Sequence, residues 1–434
     1  MQSKMIRFAT FEVNFEQREL RKAGSRVPLQ HKPFRILEML LRQPGALVSR
    51  QELAKELWPG LHVDFEHSLN SAVNSLRQAL DDSPRECRFI ETRSGLGYRF
   101  IAPIEEINVR GRPASSNAKN NVHNDYLRGR FFLNKMTSDG VQRAIGCFQS
   151  ALREDAGCAL AYSGLADCYC HLALSGTVCA SDVCRSARDC AAAALKIRPD
   201  LSEGYISMGR VHMIFDWDWR KAPEDWRRAS DLSLSLTEVN RARALLAAAS
   251  QRHDEALREI YQAHDLDPLS LPIGLERAWL LYLSRNFAEA VTQSWRVLSL
   301  EPSCAPAQTI LGLAYHQLGS FDEAITELEN ACICSDRHPS AVASLGHVYG
   351  AAGFHDKAQC MLDELVMQSE RRHVSSYCFA LLHAGFGQPH LAMDALKTAY
   401  AKRESPLLWI AVDPRLASLH SETDFITLRR LMIS

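Results

Sequence analysis

At 434 residues the chain exceeds one ordinary compact domain, and its 46% hydrophobic share is that of a water-soluble globular protein. No stretch approaches the roughly 18 to 20 uninterrupted apolar residues of a membrane span, and Arg7 interrupts the one short apolar run near the start, so neither a membrane helix nor a secretory signal is expected and the protein is placed in the cytoplasm. The net charge of −1 hides a split: residues 1 to 104 carry 16 Lys+Arg against 12 Asp+Glu, and the remainder carries 34 against 39. A mild basic excess permits a polyanionic partner without demanding one. Thirteen cysteines are an odd number scattered through helical patterns, which points to reduced thiols.

From Ile6 to Leu29 short extended pieces alternate, with Phe11, Val13, Leu20, Val27 and Leu29 apolar among polar neighbours and Gly24-Ser25 as a turn; this predicts a small antiparallel sheet. A first helix is predicted over about 32 to 42, where Pro33 suits an opening turn and Phe34, Leu37, Leu40 and Leu41 recur at helical spacing before Pro44-Gly45. A short second helix follows Ser49, with Glu52 three residues on as in a capping box, and ends at Pro59-Gly60. A third helix runs from about Ser68 to Leu80. Its apolar face is Leu69, Val73, Leu76 and Leu80, and the opposite face is Asn70, Ser71, Asn74, Arg77 and Gln78. Amides, hydroxyls and one guanidinium can meet base edges and phosphates in a major groove; the same composition also fits a plain solvated surface. Residues 89 to 100 read as strand, glycine turn, strand. Gly95-Leu96-Gly97 is a turn and not a nucleotide loop, because no helix follows to offer its amino terminus to a phosphate.

The order sheet, three helices, hairpin, with Leu76-Arg77-Gln78-Ala79-Leu80 and Thr92-Arg93-Ser94-Gly95-Leu96-Gly97-Tyr98-Arg99-Phe100, resembles the output domain of the OmpR/PhoB winged-helix family over residues 6 to 103. The resemblance implies a third helix in the major groove and a hairpin wing in the adjacent minor groove of double-stranded DNA. By position it assigns DNA contacts to His67, Ser68, Asn70, Ser71, Asn74, Ser75 and Arg77, with Arg93 and Ser94 in the wing. Asn74 and Ser75 stand where family members are often basic, so phosphate affinity from this helix is expected to be modest and a homodimer or second site more necessary.

Residues 105 to 124 lapse into a polar, aperiodic run that reads as a flexible linker, dividing a domain over 1–104 from one over 125–434. The second part repeats. Ala256, Ala290, Ala324, Ala358 and Ala392 stand 34 residues apart, as do Gly319, Gly353 and Gly387, and Pro268 and Pro302. Within a unit, Leu311, Gly312, Tyr315, Gly319, Ala324, Leu328 and Ala331 have the spacing of the tetratricopeptide repeat, which it resembles. Pairs are expected near 125–158, 159–201, 202–236, 237–270, 271–304, 305–338, 339–372 and 373–406, then a cap. The second is stretched around Ser175 to Val183, and the third carries one extra residue near Phe215 to Trp219. The fold class is therefore mainly α: an α+β winged helix-turn-helix domain followed by an α-solenoid. Its concave face is expected to hold a protein or peptide partner, RNA polymerase among the candidates.

No phosphate loop, zinc helix or nucleophile elbow is present, and neither enzyme activity nor a cofactor is expected. Cys158, Cys168, Cys170, Cys179, Cys184 and Cys190 with His171 concentrate soft ligands, but no Cys-x-x-Cys pair organises them, and small thiols suit tight helix crossings. Trp217, Trp219 and Trp226 read as packing. Because the winged helix starts at about residue 6, no receiver domain is expected before it, and no membrane helix is expected after it. Two functions remain: a sequence-specific transcriptional regulator, and a repeat scaffold whose winged helix contacts protein.

Overall fold

The computed structural model describes residues 4–15, 18–22, 25–42, 44–57, 66–83, 87–93, 96–108, 114–232 and 236–433. The chain divides into two compact units, Met1–Ser116 and Asn117–Ser434.

In the first unit, β1 (Lys4–Phe8), β2 (Phe11–Asn14), β3 (Glu19–Lys22) and β4 (Ser25–Val27) form an antiparallel meander. Alternation puts Ile6, Phe8, Phe11, Val13 and Leu20 in the core and leaves Arg7 outside. Then come α1 (His31–Arg42), β5 (Leu47–Ser49), α2 (Arg50–Leu57), α3 (Glu66–Ala79), β6 (Ile90–Arg93), β7 (Gly97–Phe100) and β8 (Glu105–Asn108). The capping box forms as expected: the Ser49 amide and hydroxyl donate to Glu52 Oε2 at 2.8 and 2.9 Å, and the Glu52 amide donates back to Ser49 Oγ at 3.2 Å. Phe8 joins the two sheets, with its ring 5.4 Å from Phe89 and 4.9 Å from Phe100.

Two features depart from expectation. A third strand, β5, pairs with β7 to give the order β5-β7-β6, and it crosses so closely that a Cβ on Gly97 would lie 2.1 Å from the Val48 carbonyl. Glycine at position 97 is thus required by the close approach of the neighbouring strand. Within the expected linker over 105–124, residues 105–108 are β8, which pairs with β1 (Met5↔Ile107, Ile6↔Glu106), and α4 begins at Ala114. The outer edge of β1 needs backbone partners, and a strand recruited for its backbone need not show a side-chain period.

The second unit is an array of helical hairpins. They are α4 (Ala114–Leu133) with α5 (Ser138–Glu154), α6 (Ala159–Leu174) with α7 (Ala180–Ile197), α8 (Ser202–Val211) with α9 (Lys221–Leu232), and α10 (Thr237–Ala249) with α11 (His253–Leu266). Next are α12 (Leu271–Leu283) with α13 (Phe287–Leu300), α14 (Ala305–Gln317) with α15 (Phe321–Cys334), α16 (Pro339–Ala351) with α17 (His355–Ser369), and α18 (Ser376–Gly385) with α19 (Pro389–Ala401). The repeating alanines Ala256, Ala290, Ala324, Ala358 and Ala392 are all buried at helix crossings, and a Cβ on Gly312 would meet the Ala324 carbonyl at 2.9 Å. The extra residue of the third pair is absorbed as a π-helical turn, His212–Asp216, closed by Trp217 at φ +54°.

Short turns at Ser405–Trp409 and Pro414–Leu419 and a last helix, α20 (Thr423–Ile433), complete the chain. This segment does more than cap the end. Trp409 packs edge-on against Trp279 of α12 at 6.0 Å, Arg415 Nη1 donates to Ser344 Oγ of α16 at 3.0 Å, and Asp413 accepts from the Tyr377 hydroxyl of α18 at 2.9 Å. The array also meets itself: Thr177 Oγ1 is 3.0 Å from His338 Nε2, and Trp217 stacks on Tyr400 at 5.6 Å. Residues 409–415 of the chain itself therefore pack against the first helices of three pairs, α12, α16 and α18, part of the surface expected to hold a partner. No helix among the described residues is long and apolar enough to cross a membrane.

Candidate nucleic-acid interface

The third helix is built as its periodicity requires. Leu69, Ala72, Val73, Leu76 and Leu80 are buried, while Asn70, Ser71, Asn74, Ser75 and Gln78 are exposed on the other side. The Ser75 hydroxyl bonds back to the Ser71 carbonyl at 3.1 Å, the usual resting place of a serine hydroxyl on a helix. His67 and Ser68 lie on the first turn of α3, with side chains outside the described residues, and Ser94 is likewise outside them.

Arg77 requires a correction. The sequence put it on the outward face, yet only 6% of it is accessible, and its Nη2 donates to the Ile90 carbonyl at 2.9 Å and to Thr92 Oγ1 at 2.7 Å. It ties α3 to β6 from inside, so it is withdrawn from the base-reading set. Asp82 completes that junction: its carboxylate accepts the amides of Ser83, Arg88 and Ile90 at 3.0, 2.7 and 2.8 Å. In the wing Arg93 is exposed, and its Nε lies 3.1 Å from Glu91 Oε1, while Arg99 Nε donates to Glu91 Oε2 at 2.7 Å.

Asn70 is held by two residues that sequence reasoning did not single out. Arg50 Nη2 donates to Asn70 Oδ1 at 2.6 Å, the Tyr98 hydroxyl donates to the same oxygen at 3.0 Å, and Arg50 Nη1 donates to the Tyr98 oxygen at 3.0 Å. The Arg50 guanidinium also lies 5.4 Å from the centre of the Tyr98 ring. These links span 20, 28 and 48 residues of chain, so no local pattern announces them. Tyr98 stood inside the motif that carried the resemblance, and Arg50 followed the helix cap, but neither position reveals a shared partner.

In the second unit, residues from α4 to α12 surround a cavity of about 100 Å³ lined by Arg130, Asp167, Arg210, Glu238, Arg241 and Glu276, together with Asn134, His171 and apolar neighbours. The charges alternate in a chain: Asp167 with Arg130 at 3.2 Å and Arg210 at 2.8 Å, Glu238 with Arg210 at 2.7 Å and Arg241 at 2.6 Å, then Arg241 with Glu276 at 2.6 Å. Burial pushes the Glu238 carboxyl up, but the surrounding Arg241, Arg210 and Arg130 outweigh it and hold it well below the usual carboxylate range. Cys168 and Cys170 are buried among packed side chains, and burial raises their thiols far above their ordinary range and that of Cys190 to about 11. Among the described residues no three His, Cys, Asp or Glu side chains are grouped to hold a metal. Trp226 is fully buried, with its indole N–H donated to the Ile206 carbonyl at 3.2 Å.

Comparison with known proteins agrees with both halves. The family described as Transcriptional regulatory protein, C terminal, matches residues 24–100, and that described as Tetratricopeptide repeat matches residues 275–341. The chain is similar to the transcriptional regulatory protein KdpE of Mycobacterium tuberculosis, 35% identical over 102 residues, which is 24% of this chain and 45% of that protein. It is also similar to the transcriptional regulator HilA of Salmonella typhimurium, 33% identical over 102 residues, which is 24% of this chain and 18% of HilA. The chain thus spans less than half the length of these relatives. Among solved structures, a Rap protein complexed with competence and sporulation factor covers 74% of this chain and 97% of its own at 15% identity, with a TM-score of 0.50, a likeness of fold. The amino-terminal domain is a winged-helix DNA-binding domain of the OmpR/PhoB regulator type, carried on one chain with an array of tetratricopeptide repeats.

Proposed function

We propose that this protein is a sequence-specific DNA-binding transcriptional regulator that places α3 in the major groove and the β6–β7 wing in the adjacent minor groove. The observation that carries the reading is the exposed, uncharged hydrogen-bonding face Asn70, Ser71, Asn74, Ser75 and Gln78, set opposite a fully buried leucine and valine face on a regulator-type domain. His67, Ser68, Arg93 and Ser94 complete the proposed contact set; Arg77 acts from behind by fixing the angle between helix and wing. Arg93 must exchange its Glu91 partner for a phosphate, which moderates affinity. With no lysine or arginine on the outer face of α3, binding as a homodimer supplies what one domain lacks. The repeats hold a protein or peptide partner, RNA polymerase among the candidates. The place for it is the cavity lined by Arg130, Asp167, Arg210, Glu238, Arg241 and Glu276, to whose lining none of residues 409–415 contributes, and where alternating charges suit a peptide carrying both signs. The reading puts the protein in the cytoplasm, with the chromosome.

The test is fluorescence anisotropy on sequences selected from random duplexes. Asn74→Ala should weaken the selected duplex about tenfold and leave random DNA nearly unchanged. Equal affinity of wild type and variant for selected and random DNA would overturn base reading by this face. The scaffold reading draws on the same lack of cations on α3, and stable protein capture with no retained duplex at low salt would favour it.

A further inference from the structure

We propose that Asn70 reads its base only as a hydrogen-bond donor, recognising major-groove acceptors such as those of guanine or thymine, because Arg50 and Tyr98 already occupy its carbonyl oxygen. The inference rests on the DNA-reading function above.

Which end of an asparagine amide faces a partner depends on whether that partner donates or accepts. Here the chemistry decides it. A guanidinium has donors and no acceptor, so the Asn70 atom 2.6 Å from Arg50 Nη2 must be the oxygen. The Tyr98 hydroxyl takes an N–H from Arg50 Nη1 and therefore turns its own proton to the same Asn70 oxygen, at 3.0 Å. Both lone pairs of Oδ1 are then used. What an exposed Asn70 still offers is its NH2 group.

An asparagine commonly recognises adenine with both ends of its amide, accepting from N6 while donating to N7. That pairing needs the oxygen, which here would have to leave a charged donor. With Oδ1 committed, adenine presents N7 beside its own N6 amino group, a donor facing the remaining N–H. Cytosine presents only a donor. Guanine offers N7 and O6, and thymine offers O4, all acceptors. The framework is stiff: Arg50 opens α2, Tyr98 sits in β7, and the guanidinium stacks on the ring, so the three elements hold the amide at one angle.

The test uses the full chain and duplexes selected from a random pool. Asn70→Ala locates the base pair, as the position at which discrimination is lost. At that pair, removing a major-groove acceptor by 7-deazaguanine or 5-methyl-2-pyrimidinone should cost wild-type affinity on the order of tenfold, whereas removing an amino group by purine or 2-pyrimidinone should change it less than about twofold. Asn70→Asp keeps an oxygen toward Arg50 and Tyr98 but replaces the NH2 by an acceptor, and its dependence should reverse. A tenfold loss on removing adenine N6, or an Asn70→Asp variant with unchanged dependence, overturns the proposal. An Asn70→Ala variant that alters no position overturns it while leaving DNA reading intact. A wild-type chain that enriches no sequence overturns the DNA reading itself, and this inference with it.

Discussion

Arg77 illustrates how a side chain's role depends on which side of a helix boundary the core reaches. Its Cα lies on the polar arc of α3, yet the arm runs under the hairpin and bonds the Ile90 carbonyl and the Thr92 hydroxyl. A guanidinium so placed contributes to stability and to the angle between helix and wing. Arg77→Ala should therefore lower the unfolding free energy of the amino-terminal domain by about 2 kcal/mol, checked by thermal denaturation, while the base preferences of the folded protein keep their pattern. Loss of preference at a single base position, with stability unchanged, would return Arg77 to the reading face.

At the level of elements, the 34-residue step has a backbone cause as well as a packing one. Gly319, Gly353 and Gly387 adopt φ of +83°, +82° and +68° between paired helices, and Arg285 and Gln251, one and two steps earlier in the same register, adopt +63° without being glycine. A left-handed turn closes the first helix of each pair, and a side chain there carries a steric cost that glycine avoids. Gln251 is exposed, and its backbone N–H holds the Ala248 carbonyl at 2.8 Å, so the conformation is set by the turn and not by the side chain. Gln251→Gly should raise the stability of the repeat array by about 1 kcal/mol in urea denaturation, whereas Gln251→Ala should give no gain.

At the scale of the whole repeat unit, the closing segment makes distant hairpins depend on one another. Trp409 is almost fully buried against Trp279, and Arg415 reaches Ser344 while its guanidinium is paired with Asp413. Trp409→Ala should cost roughly 3 to 5 kcal/mol and speed hydrogen exchange in α12 and in the hairpins that meet across the closure, not only in the last turns. Faster exchange confined to residues after 405 would show that the closure carries no cooperativity. The same region sets a pH limit. His347 is buried with Nδ1 2.8 Å from the Leu381 carbonyl, and His316, Arg415 and Asp413 are its titratable and charged neighbours. Desolvation is the main cause that lowers the ring to about 4. An unfolded imidazole binds its proton near pH 6.5, so acidification from there favours the unfolded chain, and stability is lost as pH falls toward the folded value. From pH 6.5 to 5 the contribution is about 2 kcal/mol, and a His347→Gln variant should show a correspondingly flatter pH profile in denaturant titrations.

Periodicity along the chain was enough to establish the helices of both units apart from the first turns of α4, the capping box at Ser49, the π-turn's extra residue and the polar outer face of α3, because helix packing repeats at fixed spacing and imprints it on the residues. The strands β5 and β8 left no such imprint, since their backbones were recruited to cover edges. Contacts between residues far apart in the chain belong to the tertiary structure alone: the burial of Arg77, the capture of the Asn70 carbonyl by Arg50 and Tyr98, and the packing of Trp409 and Arg415 against α12 and α16. Each is a matter of which groups meet once the chain is folded, and a one-dimensional spacing carries no information about a distance across the fold.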